Sequence, residues 1–168
     1  MPTTQIIGSL VVIIAAGFFH PGSDAGNEQV PSGIKSSQDI AVVVNPKNDT
    51  NELSSVELRR ILLGERRFWK NKAPLTVILR EPGSRERDEV IASLKMSDAE
   101  FGQHWRDKVF RGEASSPPLA VPSSGMASQV VRDNAGGVTF VAGRNLSPDL
   151  KVLKIDGKLP GEAGYPLK

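Results

Sequence analysis

Arg80 and Ser84 are the residues of this chain whose types and spacing most clearly suggest chemistry. They lie in Leu75–Val90, LTVILREPGSRERDEV, where an apolar run ends in an arginine, a Pro-Gly-Ser turn follows, and a charged stretch begins. The pattern predicts a strand, a tight turn and the start of a helix. A helix start exposes unpaired backbone N–H groups and carries about half a positive charge, so it suits an anion. Ser84 could present its hydroxyl and N–H there, and Arg80 a bidentate pair to an oxyanion. Ligands of open α/β sheets bind outside the carboxyl ends of the strands, where this turn falls. Arg85 and Arg87 strengthen the idea, because cations in a first helical turn are unfavourable without a compensating negative charge. A plainer reading stands beside it. Glu86, Asp88 and Glu89 already outnumber the two arginines, and Ser84 as a simple N-cap needs no ligand.

Other chemistry finds little support. With His20 inside residues 1–25, read as a cleaved signal, His104 is the one histidine left for catalysis, and it falls on a predicted helix. It reads as a surface or half-buried side chain. No His-Glu-x-x-His, no Gly-Lys-Ser/Thr phosphate loop and no Gly-x-Ser-x-Gly elbow occurs. The sequence has no cysteine, which removes thiol chemistry, disulfides and Cys-based zinc sites. The expectation is a non-enzyme without cofactor or metal. Arg59, Arg60, Arg66, Arg67, Lys70 and Lys72 cluster around Phe68 and Trp69. They read as a solvated helix face followed by a loop whose aromatics fill the core, and no nucleic-acid partner is expected.

The elements that must position Arg80 and Ser84 come from a chain of 168 residues, 39% hydrophobic and 24% charged, with a net charge of +2. This is an ordinary composition for one globular domain. Ile6 to Phe19, IIGSLVVIIAAGFF, is uncharged and shorter than the roughly 20 residues that span a bilayer. It predicts a signal peptide over 1–25, with Ser23 and Ala25 at the cleavage site and a periplasmic or secreted location. Met1–Gln5 lacks Lys and Arg, which keeps an uncleaved membrane anchor open. Residues 26–38, rich in Gly, Ser, Asn and Pro, read as a linker.

Residues 39–168 read as the folded unit. Ile40–Val44 is a strand covered on both faces. Ser54-x-x-Glu57 is a capping box opening a helix with Leu58, Ile61 and Leu62 on one stripe and Gly64 as its stop. After strand Leu75–Leu79, a helix over Arg85–Lys95 buries Val90, Ile91 and Leu94. Ser97-x-x-Glu100 opens another helix, to about Phe110, with Phe101 and Trp105 one turn apart. Ser115–Pro118 is a loop, and Ser123 caps a helix holding Met126, Val130 and Val131. Gly136-Gly137 ends it before strand Val138–Val141, and Lys151–Ile155 is a short strand. Strands alternating with helices predict a central sheet with helices on both faces.

In this order the segments resemble one family. ELRRILLGERRFWKN (Glu57–Asn71) is similar to the helix, glycine and tryptophan segment of the phosphate-binding proteins of ABC transporters. REPGSRER (Arg80–Arg87) resembles their Arg-x-Asp-Gly-Ser-Gly-Thr phosphate loop. VVRDNAGGVTFV (Val130–Val141) and KIDGKLPGEAGYPL (Lys154–Leu167) resemble their later helix–turn–strand and their Asp-Gly…Tyr-Pro-Leu tail.

The resemblance implies a single three-layer α/β/α lobe with a mixed, mostly parallel sheet, like one domain of a type 2 periplasmic binding protein. It also implies a phosphate or similar oxyanion ligand at Arg80, Gly83, Ser84, Arg85, Glu86 and Arg87, and a transporter permease as partner. Pro82 stands where the family has aspartate, Arg85 where it has glycine and Glu86 where it has threonine, so a carboxylate meets the incoming dianion. Only one of the family's two lobes is covered, and a half-site open to water holds charge weakly. Weak binding is therefore expected unless a second lobe or a homodimer closes the cleft. The alternative implied by Glu86 is a cell-envelope interaction or assembly component that kept the lobe and lost the ligand.

Overall fold

The structure is a computed structural model and describes residues 33–34 and 37–168. The signal predicted over 1–25 lies outside the described residues, as does most of the linker. Of that linker, Ile34 is buried against the core.

A five-stranded sheet organises the chain: β1 (Ile40–Val44), β3 (Thr76–Arg80), β4 (Leu119–Val121), β5 (Gly137–Ala142) and β6 (Lys151–Val152), in the order β4-β3-β5-β1-β6. β3 is parallel to β4 and to β5, while β1 runs antiparallel to both β5 and β6. Four strands therefore share one direction and β1 opposes them, giving the mixed, mostly parallel sheet. The run predicted over Lys151–Ile155 divides. β6 joins the main sheet, whereas β7 (Lys154–Ile155) pairs with β2 (Glu52–Leu53) in a separate two-stranded ribbon.

Strand alternation sorts side chains into two cores, because successive residues point to opposite faces. Ile40, Val42, Val44, Val77, Leu79, Val138 and Phe140 face one core, while Ala41, Val43, Ile78 and Val141 face the other. All five residues of β1 are buried, as expected of a strand covered on both faces. The first core is roofed by α1 (Ser55–Leu62), α2 (Arg85–Ser93) and α3 (Asp98–Phe110); the second by α4 (Ser124–Asp133). This is the three-layer α/β/α lobe.

The helix ends follow from their residues. Ser54 with Glu57 and Ser97 with Glu100 both form full capping boxes, and Ser123 accepts from the Met126 N–H. Gly64 follows α1 with φ +66, and a Cβ there would lie 2.6 Å from the Trp105 ring. α4 carries Met126, Val130 and Val131 after the Ser123 cap, as expected. Ala127, Ser128 and Val131 turn inward, while Met126 is 48% exposed. Small residues at those positions let the helix lie close to the sheet, and the larger methionine points outward.

Candidate functional site

Two successive strand–helix turns build one corner. β3 and β4 are adjacent and parallel, with Arg80 in register with Val121 at their carboxyl ends. α2 begins at Arg85 and α4 at Ser124. Both helix starts therefore lie just beyond the same edge of the sheet, where backbone N–H groups and helix dipoles favour negative charge.

Negative charge is present there, and it belongs to the chain. Glu86, second residue of α2, is 7% exposed. Its carboxylate stands 3.9 Å from Arg80 Nη1 and accepts from the Ser124 hydroxyl at 3.2 Å. Arg80 Nη1 also donates to Ser124 Oγ at 2.9 Å. An arginine, a serine at a helix start and a carboxylate thus close a three-membered polar cluster. Arg80 Nε, inside the same cluster, is buried and has no hydrogen-bond partner among the described residues.

Ser84 does not join them. It is the N-cap of α2 by backbone conformation, but its hydroxyl donates to the Glu81 carbonyl at 2.9 Å and makes no cap bond. Its N–H also bonds Glu81 O, at 3.3 Å, closing the Glu81–Ser84 turn in which Gly83 takes φ +82. The turn thus engages the Ser84 hydroxyl and N–H, and Ser124 is the hydroxyl that accepts from the Arg80 guanidinium. Arg85 reaches away, its Nη1 donating to Gln38 O at 2.8 Å. Arg87 braces the corner from outside. It pairs with Asp98 at 2.5 Å, donates to the Arg80 carbonyl at 3.2 Å and lies 5.8 Å over the Phe101 ring.

Ser124 was missed because β4 is only three residues long and its approach to the corner depends on strand order. The signal available was the pair Ser123-Ser124 separated only by Pro122 from an apolar triplet, Leu119–Val121.

His104 Nε2 lies 3.0 Å from the Leu63 carbonyl, a structural contact between α3 and the end of α1. Trp69, in the basic segment, is 3% exposed and donates to the Gly136 carbonyl at 2.9 Å. Phe68 differs from its expected core role, being 55% exposed. Among the described residues no group of three or more His, Cys, Asp or Glu is placed to hold a metal, and no helix is long and apolar enough to cross a membrane.

With this geometry in view, the solved structures it resembles define a class. The fold is that of one lobe of the substrate-binding proteins of phosphate ABC transporters. A Clostridium perfringens structure, described as a phosphate ABC transporter substrate-binding protein with bound phosphate, superposes with a TM-score of 0.58 at 21% identity, covering 71% of this chain and 45% of its own. An ABC-type phosphate transport receptor from Vibrio cholerae gives 0.59 at 20%, covering 73% and 48%. PstS from Borrelia burgdorferi gives 0.56 at 16%, covering 73% and 49%. This chain thus spans under half the length of each. No protein-family model and no curated protein matches the sequence.

Proposed function

We propose that the chain is an exported, non-catalytic oxyanion-binding module of the phosphate-binding type, with its anion corner formed by Arg80, Ser124 and the start of α2 and occupied by Glu86 in the absence of ligand. The observation that carries this reading is the Arg80–Ser124–Glu86 cluster at the carboxyl ends of two parallel strands. A carboxylate offers a guanidinium the same charge-assisted pairing as a phosphate oxygen. The unpartnered Arg80 Nε leaves donor capacity that one 3.9 Å carboxylate contact does not use. Gly83 and Ser84 form the adjoining turn, and Arg85 and Arg87 the first turn of α2, rather than the anion contacts. The apolar Ile6–Phe19 supports export, and the fold's likeness to phosphate transport receptors supports a permease-linked setting.

Calorimetric titration with phosphate and sulfate tests the reading. Wild type binds weakly, because the dianion must displace Glu86. Glu86→Thr binds phosphate at least about tenfold more tightly, equivalent to about 1.4 kcal/mol, and Arg80→Ala added to it abolishes binding. If Glu86→Thr binds neither anion, the oxyanion reading fails.

A specific observation favours a second reading in that event. Glu86 is buried and bonded in the corner, so the lobe would serve as a cell-envelope interaction component whose ligand has been replaced by its own side chain.

A further inference from the structure

A different face of the lobe carries an inference that does not depend on the anion corner. Among the described residues β4 is an edge strand, hydrogen-bonded to β3 on one side only, and both Leu119 and Ala120 are exposed. A bare edge presents unpaired N–H and C=O groups to any strand that arrives. Two depressions flank the Pro117–Pro118 approach to this strand and share Trp105 as a wall. One, about 530 Å³, lies against Val109 and Phe110 of α3; the other, about 690 Å³, lies against Phe68 and Leu119. Phe110 is 93% exposed, Phe68 55% and Leu119 46%. Large apolar side chains gathered beside a sheet edge, rather than scattered, mark an interaction surface.

Charge selects the occupant. The two depressions are lined by Arg66, Arg67, Arg87 and Arg106 and by no carboxylate. Arg66 and Arg87 have ion-pair partners, Glu57 and Asp98. Among the described residues Arg67 and Arg106 bond to the Glu113 carbonyl and the Gln103 side chain, and neither has an ion-pair partner there. A second copy docking through a two-fold axis would bring the same patch, and hence arginine against arginine, into contact. A lipid surface would satisfy the arginines but leave the strand edge without main-chain partners.

We propose that the open edge of β4, with the apolar depressions on either side of Pro117–Pro118, receives an extended acidic peptide segment of another protein. The segment adds as a strand beside β4, seats alternate apolar or aromatic side chains in the depressions, and places its carboxylates against Arg67 and Arg106. Strand addition draws affinity from main-chain bonds and specificity from alternate side chains.

The test pans a random ten-residue peptide display library against the purified full chain and measures the enriched peptides by fluorescence anisotropy. Enriched sequences are expected to alternate apolar or aromatic residues with Asp or Glu. Their binding falls as salt rises, and replacing their acids with lysine weakens it at least about tenfold. The double variant Arg67→Glu/Arg106→Glu, with both substituted side chains on the surface, loses the acidic peptides and gains their lysine analogues. Phe110→Ser weakens both sets. Circular dichroism matching wild type separates these effects from misfolding.

Several results overturn the proposal: no enrichment, enrichment without acidic residues, or charge-reversed variants that bind like wild type. So does self-association of the wild type through this face, or binding to anionic phosphatidylserine vesicles that Arg67→Glu/Arg106→Glu abolishes while no peptide binds. Because none of these variants touches Arg80, Ser124 or Glu86, failure here leaves the oxyanion reading intact, and the reverse also holds.

Discussion

Glu86 reaches back across the first turn of α2 to stand 3.9 Å from the Arg80 guanidinium, and both bond the hydroxyl of Ser124. The pair is largely buried, with side-chain exposures of 21% for Arg80 and 9% for Glu86. Removing one member of such a pair strands the other, which costs more than the pair itself is worth. Arg80→Ala should therefore destabilise the lobe by about 1–3 kcal/mol, less than a fully buried pair because Arg80 remains partly solvated. Glu86→Gln keeps an acceptor for Ser124 and should lose less. Urea unfolding midpoints of the two variants check the order.

Trp69→Phe isolates one hydrogen bond. The indole N–H is the side-chain donor to the Gly136 carbonyl, at 2.9 Å in a buried setting. Losing it should cost about 0.5–1.5 kcal/mol, the net worth of one hydrogen bond, because the carbonyl still accepts from the Thr76 N–H at 3.0 Å. Near-ultraviolet circular dichroism would report retained packing, and urea titration the loss.

Gly64→Ala and Gly83→Ala form a matched comparison. Both glycines hold φ in the left-handed region, +66 and +82. At Gly64 a Cβ would stand 2.6 Å from the Trp105 ring, while at Gly83 nothing lies within 4 Å. Gly83→Ala pays backbone strain of about 1 kcal/mol. Gly64→Ala pays that and must also displace an aromatic ring buried in the core. Thermal melts should rank Gly64→Ala clearly below Gly83→Ala.

Asp156 ties the chain's last third to the start of α1, accepting from the Ser55 N–H at 2.9 Å and from the Ser55 hydroxyl. Those two bonds, the hydroxyl's first, hold its carboxyl below the usual carboxylate range. A depressed native value means the contribution is complete above the unfolded pKa of about 3.9 and fades as pH falls through the lower native value. Wild type should exceed Asp156→Asn in stability at neutral pH by no more than about 1 kcal/mol, the worth of a helix cap. The difference should shrink in acid, as pH falls below about 3.9. Paired urea titrations at neutral and acid pH check it.

Much of the architecture was legible because it rests on local rules. Both capping boxes, the Gly64 stop and the doubly buried β1 are written in short windows, where spacing alone determines which groups can meet. The candidate site was only half legible. Arg80 and the α2 start are neighbours in sequence, and Glu86 stood out as an awkward charge there. Ser124 is 44 residues from Arg80 and reaches it only because β4 lies next to β3. Three-residue strands such as Leu119–Val121 carry too little periodicity to announce that placement. The fate of the Ser84 hydroxyl was hidden for a different reason, since a turn carbonyl and a helix N–H compete for it over the same few residues.

The place of β1 in the sheet bears on how the lobe is made. Ile40–Val44 emerges first among the strands, yet its two neighbours are β5 and β6, and its Ile40 amide and carbonyl are taken by Leu167 O and the Tyr165 hydroxyl. Contacts so distant along the chain slow folding, because long loops must close before they are rewarded. During vectorial synthesis β1, fourth in the sheet order, cannot pair with its neighbours until Gly137–Ala142 and Lys151–Val152 have been made. The sheet therefore cannot be completed before synthesis has run well into the last third of residues 37–168.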